Sequence, residues 1–116
     1  MSKELEALTE KLRVFARARN WSQFHSPKNL ACALSAESGE LLENFQWLTD
    51  EQSRHLNEDQ QQAVAMEVAD VLLYLLQLCD ALSIDPLNAA LEKLAVNEQK
   101  YPVDRARGSS KKYTKL

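Results

Sequence analysis

Apolar residues return every three or four positions along most of this chain. Leu5, Leu8, Leu12 and Phe15 set that rhythm first and predict an amphipathic helix over residues 3–19. Asn20 and Ser26-Pro27 bracket a short connection, Trp21-Ser-Gln-Phe-His25, that is unusually aromatic for a loop. The fixed φ of proline suits a first helical turn, so Pro27 opens a second predicted helix that runs to about residue 47. Residues 49–57 are polar and read as a surface connection with room for one helical turn. Asn57 then caps a third helix over 58–82, whose acidic first turn complements the helix dipole. Pro86 opens a fourth helix over 86–100, Pro102 stops it, and the tail over 105–116, with its Gly-Ser-Ser, reads as extended or loosely packed.

Four helices joined by short connections within about a hundred residues predict an all-α fold, an antiparallel four-helix bundle in a single domain spanning 1–116. The third helix is apolar around most of its circumference. A helix of that kind has to be covered on more than one side, which predicts a homo-oligomer. Composition agrees with the fold class: 2 Gly and 3 Pro in 116 residues leave few tight turns for a many-stranded β protein, and 45% hydrophobic with 27% charged is ordinary for a globular chain. The longest apolar run, residues 71–76, is too short to span a bilayer, and Met1-Ser-Lys-Glu opens no signal peptide. Cys32 and Cys79 lack CxxC spacing and read as reduced core thiols, so the expected compartment is the cytoplasm.

Charge adds an asymmetry. Five of the 14 basic residues (Arg105, Arg107, Lys111, Lys112, Lys115) and one acid, Asp104, lie in the tail, leaving a strongly acidic body. That distribution suits a metal site with a polyanionic ligand better than a duplex nucleic-acid binder, which needs a basic face on the fold itself. The acids are also patterned. Glu37-Ser-Gly-Glu40 lies on the second helix and Glu67-Val-Ala-Asp70 on the third. Residues three apart project from one side of a helix, so facing the two pairs gathers four carboxylates. Burial and mutual repulsion would force such a group to protonate, and a divalent cation resolves the conflict. All-oxygen ligands without a nearby His or Cys favour Mg²⁺ or Mn²⁺ over zinc.

On helical spacing, Glu37, Glu40, Asn44 and Trp47 form one stripe, and Glu67, Asp70, Tyr74 and Gln77 form another. Each stripe sets an aromatic side chain a turn or two beyond its acids. Gly39, in mid-helix, costs about 1 kcal/mol relative to Ala, which close approach of a helix or ligand would explain. Solvated helix faces also account for two acid pairs in an acidic protein. They do not account for Trp47 and Tyr74 sharing those faces.

Glu37-x-x-Glu40 followed by Glu67-x-x-Asp70 resembles the metal signature of the all-α nucleotide pyrophosphohydrolases, the MazG-like family. Trp21-Ser-Gln-Phe-His-Ser-Pro-Lys-Asn-Leu30, Glu40-Leu-Leu-Glu-Asn-Phe-Gln-Trp47, Glu67-Val-Ala-Asp-Val-Leu-Leu-Tyr74, Lys100-Tyr-Pro-Val103 and Arg107-Gly-Ser-Ser-Lys-Lys-Tyr-Thr114 resemble its dCTP pyrophosphatase branch. The resemblance implies hydrolysis of a nucleoside triphosphate, dCTP favoured, to the monophosphate and pyrophosphate, with a homodimer or homotetramer as the working unit. It implies that Glu37, Glu40, Glu67 and Asp70 hold Mg²⁺, with Glu40 or Glu67 as the general base. By the same resemblance, Trp21, His25, Trp47 and Tyr74 line the nucleoside pocket, and Lys93 and Asn97 reach phosphate and sugar or base. The branch often has a His where this chain has Leu12, so one polar contact near the base is expected to be missing.

Two other classes fit parts of the pattern. A di-iron carboxylate bundle would need Glu-x-x-His, which neither acid pair provides. A non-catalytic helical interaction module would leave the acid stripes solvated and use the basic tail to hold a partner.

Overall fold

Side-chain caps start the helices where the sequence predicts. In the computed structural model, which describes residues 2–116, α1 spans Lys3–Ala18, α2 Pro27–Glu43, α3 Asp50–Ser53, α4 Glu58–Ala81, α5 Pro86–Lys100 and α6 Val103–Ala106, with no strand among the described residues. Ser2 Oγ accepts from the Leu5 N–H at 3.2 Å, Ser26 Oγ from Asn29 at 3.1 Å and Asn57 Oδ1 from Gln60 at 2.8 Å. Thr49 and Asn57 each form a reciprocal capping box, so the polar 49–57 connection carries the single turn of α3 between two defined starts. His55 there pairs with Glu51 at 2.9 Å on the surface.

The main packing unit is the hairpin of α2 against α4, with α1 laid on α4 at its side. Leu30, Leu34, Glu37 and Leu41 follow one face of α2 at spacings of four, three and four. Val64, Glu67, Val71, Tyr74 and Leu78 follow one face of α4 in the same manner. Leu30, only 2% exposed, lies on that face of α2, while Leu76, equally buried, lies two residues from Tyr74 on the other side of α4, beside Thr9 of α1. The acids therefore stand in a line otherwise built from apolar residues. At the far end of α4, Arg13 of α1 grips Asp80 with two hydrogen bonds, Nε–Oδ2 at 3.0 Å and Nη2–Oδ1 at 2.6 Å.

The four-helix bundle is not closed within one chain. Among the described residues α5 packs appreciably on none of the other long helices, and Leu91 and Leu94 on it are 65% and 55% exposed. The radius of gyration is 17.6 Å, against about 13 Å for a compact chain of this size. The outer side of α4 is likewise open at Met66, Val68, Leu72 and Leu75. Although its longest unbroken apolar run is short, α4 as a whole reaches a mean hydropathy of 1.5 over an 18-residue window, enough by length and composition to cross a membrane. Glu67 and Asp70 in the middle of that stretch oppose such a placement, because carboxylates are expensive in hydrocarbon.

Three local features depart from the sequence reading. The second helix ends at Glu43, not at 47: the Asn44 side-chain amide donates to the Glu40 carbonyl at 3.2 Å, and the chain tightens through Phe45 N–H to Leu42 O at 2.8 Å. Cys79 is buried, but Cys32 is exposed, because it lies two residues past Leu30 and so on the opposite side of α2. The tail is folded back, not extended. Gly108 takes a φ of +75°, which a residue without Cβ adopts without strain, and Tyr113 meets Tyr101 edge-on at 6.0 Å beneath the Lys100 ammonium at 4.7 Å.

Leu76→Ala should cost about 2–5 kcal/mol in denaturant unfolding, since it opens a cavity on the buried α1 side of α4. Asp80→Ala should cost at most about 1 kcal/mol, because both partners are about one-third exposed and solvent screens the pair. Arg13 holds the Asp80 carboxyl below its ordinary 3.8, so its contribution persists at neutral pH and fades only as pH falls through and below that range.

Candidate metal centre

Packing α2 on α4 brings Glu37, Glu67 and Asp70 together, with one carboxylate oxygen from each lying within 4.8 Å of the others. Oε2 of Glu37 and Oε2 of Glu67 are buried and have no hydrogen-bond partner among the described residues. No Arg, Lys or His forms an ion pair with these acids among the described residues, whereas Glu6, Glu10 and Asp80 share Arg13. Glu40, one turn along α2 from Glu37, is exposed and completes the group electrostatically.

The titration of these groups records the crowding. The Glu37 carboxyl is pushed up from 4.5 to about 7, first by a hydrogen bond shared with Glu40, then by burial and by the like charges of Glu40, Asp70 and Glu67. Glu67 is raised as well, chiefly by burial and then by Glu40 and Asp70. Solvated helix faces do not behave in this way. The set fits a hard divalent cation: all donors are oxygen, two buried oxygens lack a donor, and the missing positive charge is the one thing the surroundings do not supply.

Beside the acids, between α1 and α4, lies a largely apolar cleft of about 410 Å³. Trp21, His25 and Tyr74 line it, and Asp70 lines it too, so the cluster and the cleft share a side chain. Trp21 is held edge-on by Phe15 at 5.7 Å and faces His25 at 6.5 Å, inside the short turn Ser22–Phe24 that the aromatic connection forms. The structure does not bring Trp47, Lys93 and Asn97 to this cleft within one chain. Trp47 lies beyond the end of α2 and is 86% exposed, because the helical stripe it was assigned to stops at Glu43. Lys93 and Asn97 ride on the outlying α5. A Cβ added at Gly39 would meet nothing within 4 Å, so no close approach within one chain explains that glycine.

Lys11, Phe15 and Gln77 line the cleft without having been marked as site residues by the sequence. Phe15 belongs to the apolar repeat of α1 and reads as core, and Gln77 extends the acid stripe of α4 without a chemical signal of its own. In metal-free protein, the raised Glu37 carboxyl holds its proton more tightly folded than unfolded, so stability should fall as pH rises from 4.5 through about 7. Thermal melts in chelator should show that decline in the wild type and a flatter profile in Glu37→Gln.

Comparison with known proteins gives a consistent result. The MazG-like family model matches residues 32–116. The dCTP pyrophosphatase 1 of Homo sapiens is 43% identical over 104 residues, and that of Rattus norvegicus 42% identical over the same length. These alignments cover 88% of this chain and 61% of each relative, so the chain spans about three-fifths of their length. Among solved structures, a pyrophosphatase from Archaeoglobus fulgidus superposes with a TM-score of 0.82 at 43% identity, covering 88% of this chain and 95% of that one. The helical hairpin with its facing acid pairs and the extent of these matches lead to one conclusion: the chain belongs to the MazG-like family.

Proposed function

We propose that this protein is a Mg²⁺-dependent nucleoside triphosphate pyrophosphohydrolase that converts a deoxynucleoside triphosphate, dCTP favoured, to the monophosphate and pyrophosphate in the cytoplasm. The observation that carries the reading is the sharing of Asp70 between the acid cluster and the aromatic cleft, which supports binding of a base beside the phosphates. The names of the curated relatives, dCTP pyrophosphatase 1, support the substrate class.

Glu37, Glu40, Glu67 and Asp70 would hold the cation, with Mn²⁺ as a possible substitute. When bound, the cation supplies neutralising charge to phosphate oxygens and lowers the pKa of water. Trp21 and Tyr74 offer flat faces on which a base can stack, at roughly 1–3 kcal/mol per contact. His25 borders the same space and can hydrogen-bond the nucleoside. Glu40 or Glu67 takes the proton of the attacking water as the bond between the α-phosphorus and the bridging oxygen breaks and pyrophosphate leaves. Trp47, Lys93 and Asn97 complete the site by closing over the nucleotide. Because α5 stands off the cleft in one chain, Lys93 and Asn97 reach it only after α5 moves or from another copy.

The exposed apolar faces of α4 and α5 support assembly into a homodimer or homotetramer, in which a second copy covers what one chain leaves open. Light scattering at micromolar concentration should give a multiple of the 13.2 kDa chain mass, and a monomer mass would contradict this.

Glu67→Ala should abolish release of pyrophosphate from mixed deoxynucleoside triphosphates while keeping an equal or higher melting temperature, because it relieves a repulsive patch. Added Mg²⁺ should raise the melting temperature of the wild type by mass action and have much less effect on that variant. Ordinary activity in Glu67→Ala would remove the assignment, and an interaction module would release no pyrophosphate at all. In a panel of nucleotides, dCTP should be best or nearly best, with at least one other deoxynucleotide within about tenfold, because stacking alone discriminates poorly among bases. Leu12→His should widen the gap in favour of dCTP.

A further inference from the structure

Gln77 lies on α4 nearly one turn beyond Tyr74 and is half-buried in the wall of the aromatic cleft. Its Nε2 donates to the backbone carbonyl of Leu73 at 3.2 Å. A backbone carbonyl only accepts, so this bond fixes which end of the amide is nitrogen. Oε1 is thereby turned away from the Leu73 carbonyl, and it has no hydrogen-bond partner among the described residues. Leu12, Phe15 and Leu73 give the same cleft apolar walls, and Gln77 is the one neutral amide that lines it among the described residues. The helix holds the amide at one end and leaves its oxygen an unpaired acceptor at the edge of the apolar cleft, where Gln77 also borders a second pocket lined by Arg13, Ser22 and Asp80.

We infer that Gln77 is the base-selecting residue of this cleft, and that it favours a base carrying an exocyclic amine over the isosteric base carrying a carbonyl at that edge. An amine N–H satisfies Oε1, whereas a carbonyl placed opposite leaves two acceptors unpaired and desolvated. Among pyrimidines this separates cytosine from uracil and thymine, which differ from cytosine at that edge by a reversal of hydrogen-bonding sense and not by bulk. The turnover part of the inference rests on the proposed reaction. The recognition part rests on the cleft alone.

The test uses the full chain and the pair dCTP and dUTP for turnover, with dCMP and dUMP binding followed by tryptophan fluorescence as a measure independent of hydrolysis. The wild type should prefer the cytosine member of each pair by about tenfold. Gln77→Met, similar in length but without the carbonyl, should bring both the turnover ratio and the binding ratio close to one. Gln77→Glu, which keeps acceptor oxygens but loses the Nε2 anchor on the Leu73 carbonyl, should weaken the preference without abolishing it. If Gln77→Met does not fold, Gln77→Asn, whose oxygen is withdrawn by one methylene, should show the same loss of preference. An unchanged cytosine-to-uracil ratio in the substituted protein, or a wild type that binds both monophosphates equally or binds neither, overturns the inference. A wild type that binds dCMP selectively yet hydrolyses no nucleotide overturns the proposed reaction and leaves the base-selecting role standing.

Discussion

Carboxylates held in a seam between two apolar helices repel one another, and the helices that hold them cannot separate without exposing that seam. Glu37 and Glu67 occupy positions in the α2 and α4 repeats where an aliphatic side chain would pack, between Leu34 and Leu41 on one helix and Val64 and Val71 on the other. Buried Leu30 on α2, buried Leu76 on the α1 side of α4 and the Arg13 grip on Asp80 hold the helices in place around the acids. The strain is absorbed in the titration of the acids, with Glu37 carried to about 7, and not in a rearranged backbone. A cation in the group removes the repulsion and satisfies the orphaned oxygens in one step, which makes cation binding and local stability the same event.

The rest of the molecule is arranged around that seam. α1 lies against α4 beside the acids and leaves the aromatic cleft between them, so the charged and the flat parts of the site come from one packing arrangement. α5 and the folded-back tail extend away, carrying Lys93 and Asn97 together with the basic residues of the C-terminal segment. The acidic body and its cationic extension thus separate the two kinds of charge that the proposed substrate, a triphosphate with its cation, would engage: carboxylates for the metal and ammonium or guanidinium groups for the phosphates.

Much of this was legible in the sequence because the signals were local. Ser26-Pro27, Asn57 and Pro86 mark helix starts, and the spacing of the acid pairs brings out Glu37, Glu67 and Asp70, whose carboxylates the α2–α4 packing gathers. The second helix was carried too far, to 47, because extending a helical stripe assumes the helix continues, and the Asn44 amide that helps to close α2 after Glu43 acts through a backbone contact that periodicity does not register. Four apolar stripes predict a bundle, but they do not say which stripes meet within one chain, and Leu91 and Leu94 remain open here. Phe15, Lys11 and Gln77 were passed over because a cleft between two helices is a property of their separation, which no single helix encodes.

The central claim is that the carboxylate seam is built for a divalent cation, and cation binding with its proton balance tests it most directly. Magnesium titrated calorimetrically into metal-free protein at neutral pH, in two buffers of different ionisation heat, gives both affinity and the protons exchanged. Because Glu37 is partly protonated near pH 7 and Glu67 is raised in the same direction, binding should be saturable and should release protons. Absence of saturable binding, or binding with no proton released, would contradict the account.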